Sequence, residues 1–255
     1  MNAPQLEPDG VRPVLAGTLH GVGVGPGDPE LMTMRAVRLL AEAKVVAYFA
    51  KRGSHGHARR IAGRWMRGDA QEIPLLYPMT TETHWNDRGY KSALRAFYED
   101  AAERLCDRLA TGDDVVLLAE GDPLFYGSFM HLHERIRGRF RVAITPGVTG
   151  MAGCWGAAGL PMTWGDDALT VLPGTLDEEA LVSRLQATEA AVIMKLGSNF
   201  PKVRRALHRA GLADRAVYVE RGTMADQNVV PLAEKSDDSA PYFSLLLVPG
   251  AGRRP

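Results

Sequence analysis

Short apolar runs alternate with helical stretches along almost the whole chain, and several of those runs stop at a glycine-rich turn. Nothing else in the sequence narrows the choice of fold as much. Thr18–Gly23 reads as a strand. Glu30–Glu42 reads as a helix, with Leu31, Met34, Val37 and Ala41 at helical spacing. Val45–Phe49 reads as a second strand, Lys51–Arg67 as loop then helix, and Gln71–Leu76 as a weak strand. Tyr90–Ala110 reads as a long helix ended by Gly112. Val115–Ala119 is apolar at every position, as in a parallel strand covered on both faces. Tyr126–Arg137 follows as a helix and Arg141–Thr145 as a strand.

The same style resumes after Gly147–Pro161, a glycine- and proline-rich stretch read as a separator. Ala168–Leu172, Ala190–Leu196, Ala216–Glu220 and Tyr242–Val248 are expected strands. Asp177–Thr188 and Phe200–Ala210 are expected helices. Strands alternating with helices predict an α/β layer fold. At about 150 residues per domain, 255 residues suit one large or two modest domains. The separator sets the division: an N-terminal α/β domain over 14–148 and a C-terminal α/β domain over 149–250, with 1–13 and 251–255 as flexible tails.

Composition removes several function classes. Thirty basic and thirty acidic residues cancel, whereas a protein that wraps nucleic acid through phosphates is usually basic. Two cysteines, Cys106 and Cys154, exclude a disulfide framework and disfavour a cysteine zinc cluster. No apolar run approaches the roughly 20 residues that cross a bilayer, and Met1–Pro13 lacks an apolar signal core. The expectation is a cytoplasmic protein with neither a nucleic-acid nor a membrane partner.

Three loops carry the chemistry. Gly23–Thr33 joins a strand to a helix, with Asp28 placed to cap the helix and Pro29 suited to its first turn. It lacks the G-K-[ST] ending of a phosphate loop, and Asp28 stands where G-x-G-x-x-G needs its third glycine. No acidic residue closes Val45–Phe49, where a ribose-binding carboxylate would sit. Glu120–Gly127 and Thr145–Gly150 also follow strands, at the carboxyl edge where open α/β sheets bind ligands. Each loop alone is explained as a tight turn. Together they suggest one site for a ligand read largely by backbone.

In this order, Gly23–Thr33, Gly121–Gly127 and Pro146–Thr149 resemble the tetrapyrrole methylases, which use S-adenosylmethionine (SAM). The resemblance continues in Val192–Gly197 and in Glu220–Thr223 followed by Gln227. It implies two α/β domains with the cofactor in the cleft between them, the class III SAM-methyltransferase architecture, usually as a homodimer. It places SAM contacts on Pro26, Glu120, Gly121, Asp122, Phe125, Tyr126, Thr149, Gly150, Met194 and Gly222. Many relatives carry two serines where this chain has Thr149 and Gly150; the hydroxyl of Thr149 is expected to keep that contact.

Further signs lie in Lys51–Ser54, in Pro78, Met79 and Thr80 followed by Trp85 and Tyr90, and in Glu120–Tyr126. Within the family they imply methylation of precorrin-2 at C20, giving precorrin-3A, with no metal required. The alternatives are the cobalt-containing form of that substrate, another ring position, or a diphthine-type methylase of the same fold. The ring's own enamine-like nitrogens can supply the electrons, so no residue is given a proven chemical role. Asp28, Glu120 and Tyr126 are the polar groups best placed to orient substrate or take up a proton. Lys51–Arg67 holds six cations and no carboxylate, and Arg52, Ser54 and Arg59 are the candidates for the substrate's carboxylates. His55 with His57 and His131 with His133 have a spacing that does not share a helix face, so solvated or packed histidines are expected rather than metal ligands. Trp85 and Tyr90 are expected in the core.

Overall fold

The computed structural model describes residues 16–78 and 88–252, with Arg88 and Tyr90 described by their backbone alone. The N-terminal tail, Met79, Thr80 and Trp85 therefore lie outside the described residues, as does the Tyr90 side chain. The first unit runs β1 (Thr18–Gly23), α1 (Met34–Glu42), β2 (Val45–Ala50), α2 (His57–Ala62), β3 (Gln71–Leu76), α3 (Arg88–Ala110), β4 (Val115–Ala119), α4 (Phe129–Ile136) and β5 (Arg141–Thr145). Its sheet is wholly parallel, in the order β3-β2-β4-β1-β5. Every residue of β4 is buried. Leu117 joins one core with Leu105, Leu109 and Phe129, while Val116 and Leu118 join another with Leu40 and Ala62. Alternate side chains thus feed cores on opposite faces, which is why the run is apolar throughout.

The second unit continues with α5 (Gly150–Ala158), β6 (Leu169–Pro173), α6 (Glu178–Gln186), β7 (Ala190–Met194), α7 (Phe200–Arg209), β8 (Val217–Glu220), β9 (Asn228–Pro231) and β10 (Ser244–Val248). Its sheet has the order β6-β7-β10-β8-β9. Its pairing is mixed. Only β6 and β7 pair in parallel; β10 runs antiparallel to both β7 and β8, and β9 antiparallel to β8. The four-residue edge strand β9 gives no period-two signal long enough to read.

The separator also hides a helix. α5 contains three glycines, which lower helix propensity by about 1 kcal/mol each. Its boundaries are set locally: Oγ1 of Thr149 accepts from the N–H of Ala152, and Gly159 ends the helix at φ +62°. Two expected helices start later than read. Pro29–Leu31 is a short 3-10 turn before α1, and Tyr126 adopts φ +54°, so α4 begins only at Phe129. No helix among the described residues is long and apolar enough to cross a membrane.

Candidate active site

Because β4, β1 and β5 are neighbours in the sheet, the loops that follow them leave from one edge. They pack backbone against backbone. The N–H of Gly121 donates to the carbonyl of Gly25 at 2.9 Å, and the N–H of Gly25 donates back at 3.3 Å. A Cβ on Gly23 would lie 2.6 Å from the Gly121 oxygen, and one on Gly147 2.0 Å from it. Such distances exclude side chains, so these glycines are needed for the loops to meet at all. The carboxylate of Asp122 accepts from the N–H of Leu124 at 2.9 Å and from the N–H of Gly147 at 3.1 Å.

The second unit closes on this edge. A Cβ on Gly153 of α5 would come within 2.4 Å of the Pro26 ring. Asp28 caps the turn after it by accepting from Glu30 at 2.8 Å, as the sequence predicts, and its own N–H donates to Oγ1 of Thr223 at 3.2 Å. Tyr126, Lys195, Arg221 and Thr223 are the non-glycine residues with positive φ among those described. All four stand on loops after β4, β7 or β8, and strained backbone of this kind gathers at functional sites. Nζ of Lys195 sits 4.8 Å from the centre of the Tyr126 ring, a cation–π contact between the two units.

A cavity of about 280 Å³ opens beside these loops, with Gly27, His57, Arg60, Arg221, Met224 and Phe243 in its walls. His57 packs edge-on against Phe243, with ring centres 4.4 Å apart. Burial and the Arg60 guanidinium lower its pKa. Burial pushes Glu120 up to about 7, against the opposing pull of the Ala58 N–H and of Arg60. Tyr77 is raised by burial, whereas Tyr242, just before β10, is largely exposed.

The structure sorts the sequence candidates. Pro26, Glu120, Gly121, Asp122, Phe125, Tyr126, Thr149 and Gly150 lie on the three adjoining loops. Met194 ends β7, its carbonyl accepting from the N–H of Gly174 at 2.6 Å. Gly222 is buried under Cys154, where a Cβ would be 2.7 Å from Sγ. Arg52 and Ser54 are exposed before α2, and Ser54 Oγ accepts from Gly56 at 3.2 Å.

The arginine cluster disperses. Arg59 forms a bidentate pair with Glu72, at 2.8 and 2.6 Å, and Arg67 pairs with Asp69. Both carboxylates lie outside the segment that looked purely basic. Arg60 is the arginine of this helix that lines the cavity, whereas the sequence favours Arg52 and Arg59 among the six cations. The signal was present: His57, Arg60 and Ile61 stand at i, i+3 and i+4, one face of α2, and all three line the cavity. His131 stacks on Tyr98 at 4.4 Å, consistent with a packed histidine. Among the described residues no group of three His, Cys, Asp or Glu side chains is gathered to hold a metal.

Residues 18–236 match the family model described as Tetrapyrrole (Corrin/Porphyrin) Methylases. The chain belongs to the tetrapyrrole methylase family. It is similar to the precorrin-2 C(20)-methyltransferase of Sinorhizobium sp., at 56% identity over 94% of this chain and 98% of that protein. It is more distantly similar to the cobalt-precorrin-2 C(20)-methyltransferase of Salmonella typhimurium, at 28% identity over 91% of this chain and 96% of that one. The fold matches the uroporphyrin-III C-methyltransferase of Thermus thermophilus solved in complex with S-adenosylhomocysteine, with a TM-score of 0.62. That match has 24% identity and covers 91% of this chain and 96% of that one. The protein is therefore a methyltransferase of this family, built as two α/β units with their glycine loops between them.

Proposed function

We propose that this tetrapyrrole methylase transfers a methyl group from SAM to C20 of metal-free precorrin-2, giving precorrin-3A. The observation that carries this reading is the near full-length likeness, at 56% identity, to a precorrin-2 C(20)-methyltransferase, twice the identity to the cobalt-precorrin-2 enzyme.

The loops suit such a donor. A Cβ on Gly150 would meet nothing within 4 Å, so the N-terminal turn of α5 borders open space next to Gly121 and Thr149. Phe125 and Tyr126 add ring surface, 4.9 Å apart and edge to face. SAM supplies a methyl group on a positively charged sulfur. The chain then orients the ring, excludes water and holds a proton. Alignment of the reacting atoms alone can supply several kcal/mol of the barrier. Pro26, Glu120, Gly121, Asp122, Phe125, Tyr126, Thr149 and Gly150 would hold SAM, chiefly through backbone, with Met194 and Gly222 shaping the far side. Arg60 takes the place of Arg59 as a seat for the substrate's carboxylates, with Arg52 and Ser54 at the entrance. The reading includes a cytoplasmic homodimer that needs no metal, testable by sedimentation of the purified protein and by assay after chelation.

The deciding experiment incubates the protein with metal-free precorrin-2 and SAM labelled with carbon-13 at the methyl. A single new methyl resonance on C20, with the mass gain of one methyl substitution, is expected. Turnover only of the cobalt form, or label at another ring position, overturns the assignment.

A further inference from the structure

We infer that Glu120 is the proton acceptor of the methylation, taking up the proton that the ring must lose when C20 gains its methyl. This rests on the reading above. C20 forms its new carbon–carbon bond with an electron pair from the ring's π system. The sulfur–methyl bond breaks, and its pair stays on sulfur. The ring is left with one positive charge, which it discharges by giving up a proton from C20 or from a ring nitrogen. That proton needs an acceptor close to the reacting edge.

The other carboxylates around the loops serve as a cap, a tether or ion-pair partners, whereas Glu120 accepts a single backbone N–H, from Ala58. Asp28 caps the turn after the first loop. Both oxygens of Asp122 accept backbone N–H groups, from Leu124 and Gly147. Glu220 pairs with Arg221 and accepts from the hydroxyl of Tyr218, and Asp226 pairs with the same arginine. Glu120 has no ion-pair partner among the described residues within salt-bridge distance. It directly follows β4, one residue before the Gly121–Gly25 contact, so it stands where the loops converge. The groups facing it come from three directions: the Ala58 N–H and Arg60 from α2, Tyr77 after β3, and Tyr242 before β10. One hydrogen bond and one nearby guanidinium hold the carboxylate in place without neutralising it. Burial among these groups raises its proton affinity to about 7, which suits a group that must take a proton and release it again near neutral pH. His57, in the cavity wall, is the competing acceptor, but its contact with Arg60 occupies Nδ1.

Glu120→Gln keeps an oxygen for the Ala58 N–H and removes the proton site. With metal-free precorrin-2 its kcat is expected to fall roughly 100-fold. Calorimetric SAM affinity should stay within about twofold, because Glu120 would meet SAM through its backbone, which the substitution leaves in place. Wild-type kcat should rise with pH through a midpoint near 7, and the residual rate of Glu120→Gln should not. Glu120→Asp should retain the pH dependence at a reduced rate. Without any substrate, carbon-13 NMR of the wild-type protein should show the Glu120 carboxyl, assigned through its backbone, titrating near 7. A Glu120→Gln variant that binds SAM and keeps the wild-type rate, or keeps the wild-type pH profile, overturns the inference and directs attention to His57. Titration of Glu120 in the ordinary carboxylate range overturns it even if precorrin-2 proves not to be the substrate. Failure of the wild type to methylate precorrin-2 overturns the functional reading instead.

Discussion

Gly147 donates its backbone N–H to Oδ2 of Asp122 at 3.1 Å, which ties the loop after β5 to the loop after β4. The other oxygen accepts from Leu124 at 2.9 Å, so a single carboxylate both shapes its own turn and fastens the neighbouring loop. Hydrogen bonds to charged groups contribute about 1.5–3 kcal/mol when sheltered and less when partly exposed. Asp122→Ala should therefore cost about 2 kcal/mol, seen as a lower urea midpoint with an unchanged slope. Asp122→Asn, which keeps one acceptor oxygen, should lose roughly half as much. An alanine variant as stable as the wild type would show that the tether contributes nothing.

Gly121 sits at φ +61°, and a Cβ there would lie 3.3 Å from the Gly150 nitrogen. A side chain there is strained by the left-handed backbone and crowds Gly150, before any ligand is considered. Gly121→Val should destabilise the ligand-free protein by about 2 kcal/mol, because a β-branched residue in the left-handed region is strained. For a chain of this size that lowers Tm by roughly 4–8 °C. A ligand-free melt identical to wild type, with SAM binding lost, would instead mean that the glycine only makes room for the cofactor.

Glu120 also makes stability depend on pH. Burial lifts its pKa to about 7, above the roughly 4.3 of an unfolded glutamate. The folded state therefore holds the proton more tightly than the unfolded state does. Its contribution is fully present below about pH 4 and is lost as pH rises through 7. Glutamine cannot ionise. Glu120→Gln should match the wild type near about pH 4 and exceed it near about pH 8, by on the order of 1–3 kcal/mol. Parallel urea midpoints for the two proteins across this range would sink the claim.

Much of this fold was legible because β4 and its neighbour β2 are buried along nearly their whole length and read as continuous apolar runs. The three glycine loops were legible for the same reason, since a run that ends in glycine marks the end of a strand. α5 was not, because the glycine at 153 that weakens its helix signal serves close packing on Pro26, a contact between residues far apart in sequence. The antiparallel placement of β10 was hidden too: a short buried strand looks the same in either direction. At the site, α2 misled for a geometric reason. Arg59 and Arg60 are adjacent in sequence, so they project from different sides of the helix, and only the partner Glu72 on β3 reveals which one is engaged.

That division between neighbouring arginines is itself testable. Arg59 and Glu72 are each only about a quarter to a third exposed, at 27% and 31%, and make a two-pronged contact. Breaking it with Arg59→Gln should cost under about 1 kcal/mol. Arg59 holds the Glu72 carboxyl below its usual pKa, so this stability is present above the unfolded value of roughly 4.3 and fades as pH falls. The KM for precorrin-2 should barely move. Arg60 has no carboxylate pairing with it among the described residues, and it faces the cavity. Arg60→Gln should raise that KM about tenfold, equivalent to roughly 1.4 kcal/mol, with SAM affinity changed by less than about twofold. Arg52, exposed in the loop before α2, should act more weakly and through attraction that salt screens over about 10 Å at 0.1 M. Its glutamine variant should therefore match the wild type at high salt, whereas Arg60→Gln should remain impaired there. If Arg59→Gln raises KM as much as Arg60→Gln does, the pair with Glu72 opens when substrate binds, and the carboxylate seat lies on the other face of α2.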